Sequence, residues 1–217
     1  MEEQKALPSL TAEETRVLGV LMEKARTTPE YYPMTINAIT VACNQKTSRK
    51  PVVQYDDQTV TLTLDTLKRK GLVSTATGGS SRAIKYKHNF AIVYPVLPAE
   101  VAVICLLMLR GAQTPGELNT NSGRLYEFDS LEEVQDVLEK LAAPEFPYVV
   151  QLPRRAGQKE ARYAHLLSGM PDLSQEDQED EGYTRPASDV EQRLAVVEEE
   201  LAKLKEEFGK LLKELMG

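Results

Sequence analysis

The sequence predicts an α+β, mainly α-helical protein with two tandem winged-helix domains, each a helix-turn-helix with a β-hairpin wing, and a C-terminal coiled-coil helix. Three observations predict this fold. Residues 58–88 have the pattern of a helix, a stop and a hairpin, a similar pattern returns over 97–166, and an apolar heptad stripe runs over 190–215. The predicted parts are a first domain at 1–92, a second domain at 93–170, an acidic flexible linker at 171–187 and the heptad helix at 188–217.

The composition is that of a globular protein whose charge is unevenly distributed. Of 217 residues, 41% are hydrophobic and 27% are charged, and the formal net charge is −7. That balance argues against indiscriminate binding to nucleic acid or to an anionic membrane. Residues 44–88 are an exception, with nine Lys or Arg against three Asp or Glu, whereas residues 171–217 hold six against fourteen.

Capping signals place the first two helices. Thr11 with Glu14 forms a capping box for a helix that ends near Arg26. Thr35 is expected to cap a second helix, which extends from Ile36 to about Cys43. The loop between the two helices contains two prolines.

The third helix and the wing follow the basic segment Asn44 to Tyr55. Asp56 or Asp57 is the predicted N-cap of the helix. Its apolar residues have spacings of four and three, which puts them on one face, and they are Val60, Leu64 and Leu67. Gly71 is the C-terminal stop. Strands over 72–77 and 83–88 then surround a Gly-Gly-Ser-Ser turn.

The second domain is predicted as an imperfect internal duplication of the first. An apolar helix over 101–110 matches the first helix. Ser130 with Glu133 forms a capping box for a helix whose apolar residues repeat those of the first copy at one constant offset, namely Val134, Leu138 and Leu141. Strands over 148–152 and 161–166 surround the basic turn 153–159. This third helix is acidic and would repel DNA, so the second copy is expected to serve packing or protein contacts.

The C-terminal heptads predict a dimer. Eight apolar residues alternate spacings of four and three, a coiled-coil pattern, and they are Val190, Leu194, Val197, Leu201, Leu204, Phe208, Leu211 and Leu215. In a parallel pair, Arg193 would face Glu198 and Glu200 would face Lys205. We therefore expect a parallel homodimer. The alternative is a helix that packs back on its own chain.

Several segments together resemble one bacterial family. E-T-R-V-L-G-V-L-M-E-K (14–24), T-T-P-E-Y-Y-P-M-T-I-N-A-I (27–39) and A-C-N-Q-K-T-S-R-K-P-V (42–52) are similar to the UPF0502 (YceH-like) family of uncharacterised bacterial proteins. The resemblance continues through 64–73 and 162–167. It implies a tandem winged-helix fold and brings no established activity, cofactor or catalytic residue.

The residues do not predict an enzyme. No nucleophile-elbow, phosphate-loop or metalloprotease motif is present, and no Cys/His cluster suggests a metal. We therefore expect no catalytic residue, no metal and no cofactor. Cys43 and Cys105 are expected to be buried, inert thiols, while His88 and His165 occupy equivalent strand ends. With no signal peptide pattern and no apolar run long enough to span a bilayer, we expect a cytoplasmic protein without membrane contact.

The basic segment predicts double-stranded DNA as a possible partner. In a winged helix, the third helix enters the major groove, and the flanking loop and wing contact phosphates. The candidate nucleic-acid contacts lie before the helix, along one flank of it and in the wing, and they are Lys46, Arg49, Lys50, Thr59, Thr63, Thr66, Lys70, Arg82, Lys85 and Lys87.

Two functions therefore remain open. The first is a DNA-binding, regulatory protein that uses its first domain. The second is a non-enzymatic tandem winged-helix scaffold that binds another protein, since Leu62 and Asp65 on the exposed face of the third helix suit a protein contact better than a polyanion. The sequence does not specify a DNA site, regulated genes or a protein partner.

Overall fold

The computed structural model describes residues 7–76, 83–143, 145–154, 158 and 160–171. Residues Met1–Pro171 form one compact unit, and the predicted boundary between the two winged helices lies within it. The second unit, Asp172–Gly217, lies outside the described residues. The predicted linker and heptad helix, with the dimer contacts from Val190 to Leu215, therefore also lie outside them.

The described residues form a mixed, mainly helical α+β structure, as the sequence predicts. Its first half contains α1 (Ala12–Thr27), a 3-10 turn (Pro29–Tyr31), α2 (Ile36–Cys43), α3 (Asp57–Arg69), β1 (Val73–Ala76) and β2 (Lys85–His88). The short helix α4 (Phe90–Val93) leads into the second half. That half contains α5 (Pro98–Arg110), α6 (Pro115–Ser122), α7 (Leu131–Leu141), β3 (Val149–Gln151) and β4 (Tyr163–His165). Three helices followed by a hairpin thus occur in both halves, which is winged-helix-like.

Side-chain caps fix the starts of the helices. Thr11 and Glu14 form the predicted capping box of α1, and the Asp56 carboxylate accepts from the Thr59 backbone N–H at 2.8 Å. The predicted box of α7 forms only in part. Ser130 accepts from the Glu133 N–H at 3.2 Å, but the Glu133 carboxylate accepts from the Asp129 N–H instead of that of Ser130.

The end of α3 is a left-handed glycine. Gly71 has a φ of 78°, a conformation that glycine adopts without the steric cost of a Cβ. Its N–H donates to the Lys68 carbonyl and that of Leu72 donates to the Leu67 carbonyl, which satisfies carbonyls of the last turn. The chain then enters the hairpin directly, so the base of the wing lies beside the C-terminal end of α3.

Both hairpins are antiparallel and in equivalent register. Val73 faces His88 in the first, and Val149 faces His165 in the second. Each hairpin gains a bridge to the loop before the second helix of its half, through Met34 and Tyr86 in one case and through Gln113 and Tyr163 in the other. The strands are shorter than the sequence predicts, because pairing begins only at Val73 and Lys85.

The core joins the two halves through close packing of α1 on α5. Gly19 permits the approach, since a Cβ at this position would lie 3.0 Å from Leu109 Cδ2. The Gly19 carbonyl also accepts a hydrogen bond from Cys105 Sγ at 3.4 Å. The Lys50 N–H donates to the Leu109 carbonyl at 2.8 Å, which ties the loop between α2 and α3 to the end of α5. The halves therefore share one core.

No helix within the described ranges is long and apolar enough to cross a membrane.

Candidate nucleic-acid interface

Helix α3 has the core face that its sequence predicts. Val60, Leu64 and Leu67 are fully buried. On the opposite side, Leu62 is 60% exposed, and Asp65 is exposed as well. The outward face of α3 therefore mixes an apolar side chain with charges of both signs, because Lys68 lies 3.5 Å from the Asp65 carboxylate.

The threonine flank of α3 is less accessible than the sequence predicts. Thr63 is buried, and its hydroxyl donates to the Thr59 carbonyl at 2.8 Å. Thr66 is half-buried, and its hydroxyl donates to the Thr63 carbonyl at 2.8 Å. Thr66 and Lys70, at the C-terminal end of this flank, contact Glu14 in the first turn of α1. The prediction that Thr63 lies on an exposed DNA-facing flank is wrong, because the residue lies next to the core stripe.

Lys70 is held by α1. Its Nζ donates to the Glu14 carboxylate at 2.5 Å and to the Ser9 carbonyl at 2.8 Å. Burial alone would raise the pKa of Glu14, but its hydrogen bonds to Lys70, Thr11 and Thr66 outweigh burial and lower it below its usual value. Lys70 therefore joins α3 to the capping box of α1, and the expected phosphate contact at Lys70 is corrected to this internal ion pair.

Arg49 is a structural residue. It is buried, and its guanidinium uses all five N–H donors. Two donate to the Glu23 carboxylate, and the others donate to the Ala42 carbonyl, the Ser48 carbonyl and the Gln45 side chain. No donor remains for a phosphate. The expected phosphate contact at Arg49 is therefore corrected to an internal clasp that holds the loop between α2 and α3 against α1.

The wing retains the outward lysines that the sequence predicts. Tyr86 is buried on the inner side of β2, so the alternation of the strand directs Lys85 and Lys87 to the other side. Lys87 is exposed and Lys85 is half-buried. Arg82, the third predicted wing contact, lies outside the described residues.

Basic residues near the wing and in the preceding loop complete the accessible set. Arg69 and Lys68 are exposed at the C-terminal end of α3, and Lys46 is exposed in the loop. Lys50 is half-buried and Thr59 is half-buried. Two of the nine basic residues in 44–88, Arg49 and Lys70, form ion pairs with Glu23 and Glu14 of α1. The segment then holds seven other basic residues and three acidic residues. The structure thus reduces the basic character of this segment without removing it.

The second half presents an acidic third helix. Glu132, Asp136 and Glu139 are exposed on α7. Arg154 is exposed at the start of the second wing, whereas Arg155 and Lys159 lie outside the described residues. This distribution agrees with the expected division between a basic first copy and an acidic second copy.

The two cysteines are buried and the two histidines are half-buried. Burial lowers the pKa of His88 and of His165 to about 4. Cys43 and Cys105 are fully buried free thiols, and burial raises the pKa of Cys43 to about 12. The expected burial of both thiols is confirmed. The described residues contain no group of three or more His, Cys, Asp or Glu side chains placed to hold a metal ion.

Two α1 residues, the buried Arg16 and the half-buried Glu23, have structural roles that their sequence positions do not predict. Arg16 donates to the Cys43 and Pro51 carbonyls at 3.1 and 2.5 Å, and Glu23 accepts from Arg49. Burial lowers the pKa of Arg16. Both residues hold the loop between α2 and α3. Their signal in the sequence is weak, because Arg16 directly precedes and Glu23 directly follows the apolar run 17–22 of α1, where a charged residue equally suits an exposed helix face.

Most of the chain is similar to one family of known proteins. A family model described as "Protein of unknown function, DUF480" matches residues 10–158, which covers every element from α1 to β3. A UPF0502 protein of Shewanella baltica (strain OS155) is 49% identical over 163 residues, 73% of each chain. A UPF0502 protein of Opitutus terrae is 50% identical over 169 residues, 77% of this chain and 74% of the relative. A third, from Shewanella piezotolerans, is 48% identical over 163 residues, 73% of this chain and 75% of the relative.

Proposed function

This chain belongs to the UPF0502 family, and we propose that its first winged helix binds double-stranded DNA and that the protein acts as a regulator, not as an enzyme. The proposal assigns no catalytic residue and no cofactor. It places the protein in the cytoplasm, where chromosomal DNA is accessible.

The outward lysines of the wing carry the proposal. Lys85 and Lys87 lie on the side of β2 opposite the buried Tyr86, and Lys68 and Arg69 are exposed at the C-terminal end of α3. Cations at a wing and at the adjoining helix end can contact phosphates on either side of a groove. Lys46 adds a further exposed cation in the preceding loop. These contacts position a protein on DNA and do not by themselves read bases.

A fluorescence anisotropy titration tests the proposal. A labelled duplex of random sequence is titrated with the full chain at 50 and 200 mM salt. Four phosphate contacts would weaken binding on the order of 100-fold between these concentrations, because each contact releases a counterion. Lys85→Glu with Lys87→Glu is expected to remove most of the affinity.

A matched double variant controls for net charge. Lys140 and Arg154 are exposed in the second half, so Lys140→Glu with Arg154→Glu changes the net charge by the same amount away from the first wing. This control is expected to bind nearly as well as the original chain. Absence of binding at 50 mM salt, or equal loss in both double variants, would contradict the proposal.

A protein-binding scaffold is the second candidate function, and exposed apolar residues favour it. Leu62 on α3 is 60% exposed and Val41 on α2 is 63% exposed. An apolar residue at the centre of an outward helix face suits a protein contact better than a phosphate contact. If the duplex does not bind and Leu62→Asp removes an interaction with a protein partner, the scaffold function is supported instead.

Dimerisation through the heptad residues completes the proposal. The predicted contacts Val190 to Leu215 lie outside the described residues, so the sequence pattern alone supports this part. Analytical ultracentrifugation of the full chain and of residues 1–171 tests it. The full chain is expected to be a dimer and the shorter one a monomer. A monomeric full chain at micromolar concentration would exclude the dimer.

A further inference from the structure

A cleft of about 350 Å³ lies between the two halves, in the shared unit. Its walls are the C-terminal part of α1, the loop residues 45–48, the end of α5, and Asn121, Arg124 and Leu125. This volume falls within the range of small-molecule sites, about 300–1,000 Å³. The DNA-binding proposal does not use the cleft, apart from Lys46 on its rim.

The cleft is strongly basic. Its walls carry four cationic side chains, which belong to Lys24, Lys46, Arg110 and Arg124. The only acidic side chain among the described lining residues is that of Glu23. Cationic side chains in one concave site repel each other, and a bound anion relieves this repulsion. The concave shape also increases the positive potential inside the cleft. The charge of the walls therefore favours a polyanion.

Glu23 does not neutralise this charge, because a cation behind the wall already engages it. Both carboxylate oxygens accept from Arg49, at 3.0 and 2.6 Å, while Lys24 Nζ lies 3.3 Å from one of them. Burial would raise the pKa of Glu23, but Arg49 and Lys24 outweigh burial and lower it. Glu23 is thus ionised and shared between two cations, and Lys46, Arg110 and Arg124 remain without a carboxylate within salt-bridge distance among the described residues.

Arg110 is held in place by neutral groups from both halves. Its Nη1 donates to Asn121 Oδ1 at 2.7 Å, and its Nη2 donates to Ser48 Oγ at 2.9 Å. Asn121 is oriented in turn, because its side-chain amide donates to Gln113 at 2.8 Å. Ser48 has a φ of 60°, which non-glycine residues rarely adopt. A half-buried guanidinium is therefore fixed at the cleft while several of its five donors remain available.

We propose that this cleft binds a small phosphorylated anion. Arginine forks match phosphoryl oxygens in geometry, and lysines add charge without a fixed direction. The three cations without a carboxylate partner suit a ligand with two phosphoryl groups, which together carry a charge of about −3 at neutral pH. Leu106 and Leu125 offer an apolar contact to the remainder of such a ligand. Since the walls come from both halves, the bound anion would stabilise their packing.

Isothermal titration calorimetry of the full chain with inorganic pyrophosphate tests the proposal at low ionic strength. Pyrophosphate is expected to bind one site per chain. Arg124 is exposed, and no hydrogen bond or ion pair joins its side chain to another described residue. Arg124→Gln is therefore expected to fold normally and to weaken binding about tenfold, as the loss of a charge-assisted contact predicts. Arg110→Gln is expected to weaken it at least as much.

Lys140→Gln is the matched control, because Lys140 is an exposed cation outside the cleft. It is expected to bind pyrophosphate like the original chain. No heat of binding at millimolar pyrophosphate, or equal affinity of the original chain and Arg124→Gln, would overturn the proposal. Equal affinity for citrate and pyrophosphate would overturn the assignment to phosphoryl groups.

A duplex titration distinguishes a small phosphorylated ligand from the phosphates of DNA as the occupant of the cleft. If Arg124→Gln weakens duplex binding while pyrophosphate does not bind, the cleft belongs to the DNA surface and the proposal fails. If pyrophosphate binds but the duplex does not, the small-molecule site stands and the DNA proposal fails. The two proposals therefore fail independently.

Discussion

Arg49 and Glu23 form a two-pronged ion pair inside the protein, with Nη1 to Oε1 at 3.0 Å and Nη2 to Oε2 at 2.6 Å. The Arg49 side chain has no solvent exposure. The pair joins the loop before α3 to the C-terminal part of α1, so it holds that loop against the helix.

Removal of Arg49 is expected to destabilise the fold strongly. Arg49→Ala leaves the half-buried Glu23 carboxylate with Lys24 as its remaining cation and removes the buried guanidinium with its five hydrogen bonds, and breaking a buried pair costs about 3–5 kcal/mol. Lys46→Ala in the same loop is the control, and its effect is expected to be within about 0.5 kcal/mol because Lys46 is exposed. Urea denaturation measures both. Equal stability of the two variants would contradict the clasp.

The packing of α1 on α5 is expected to be intolerant of a single methyl group. At Gly19 a Cβ would lie 3.0 Å from Leu109 Cδ2 and 3.1 Å from Leu109 Cγ, and Leu109 is itself fully buried. Gly19→Ala is therefore expected to lower stability by about 1–3 kcal/mol, in spite of the better helix propensity of alanine.

Gly123→Ala is the control for Gly19→Ala. A Cβ at Gly123 meets no atom within 4 Å, and the residue has a φ of −48°. Its effect is expected to be neutral or slightly stabilising. Thermal unfolding compares the two variants. A stabilised Gly19→Ala would show that the two helices pack less closely than the structure describes.

Mild acid is expected to destabilise the protein through its histidines. Burial lowers the pKa of His88 and His165 to about 4, whereas an unfolded histidine titrates near 6.5. Between these values the unfolded chain binds protons that the folded chain does not, so stability falls as the pH falls. Each histidine contributes a slope of about 1 kcal/mol per pH unit in this window.

NMR provides a direct measurement, because the chain contains only two histidines. Their ring protons are expected to keep the neutral chemical shift down to about pH 5. The Phe90 N–H donates to His88 Nδ1 at 3.3 Å, which requires that nitrogen to be unprotonated. A titration of either ring near pH 6.5 in the folded protein would contradict the prediction.

Both cysteines are expected to resist thiol reagents in the folded protein. The thiolate is the reactive form, and burial raises the pKa of Cys43 to about 12 and raises that of Cys105 as well. Ellman's reagent at pH 7.5 is expected to label no thiol in buffer and two in denaturant. Rapid labelling of one thiol in buffer would indicate that α2 or α5 opens locally.

The local elements of the fold could be predicted because their signals lie within a few residues. Thr11, Thr35 and Asp56 cap helices at the predicted positions, and the core face of α3 follows from the spacing of its apolar residues. The two hairpins in equivalent register follow from the predicted repeat of the pattern in 58–88 over 97–166. The shorter strands could not be predicted, because pairing depends on the partner strand as much as on composition.

The roles of individual basic residues could not be predicted, because their partners are distant in sequence. Arg49 pairs with a residue 26 positions away, and Lys70 pairs with one 56 positions away. A basic loop has the same composition whether it faces water or a buried carboxylate. The burial of Thr63 is different, since it lies three residues from Val60 and next to Leu64, so helical periodicity alone indicated its position.

The variant Leu62→Lys distinguishes DNA binding from protein binding by the outward face of α3. Leu62 is 60% exposed at the centre of the outward face of α3. If this face enters a DNA groove, Leu62→Lys adds a cation close to phosphates and is expected to strengthen duplex binding several-fold at low salt, with a steeper salt dependence. If the face binds a protein, the same change places a charge in an apolar contact and weakens it.

Gln135→Lys is the control, because Gln135 is exposed on α7 in the second half. Equal strengthening by both lysines would mean that net charge alone is responsible, and that α3 does not face the duplex.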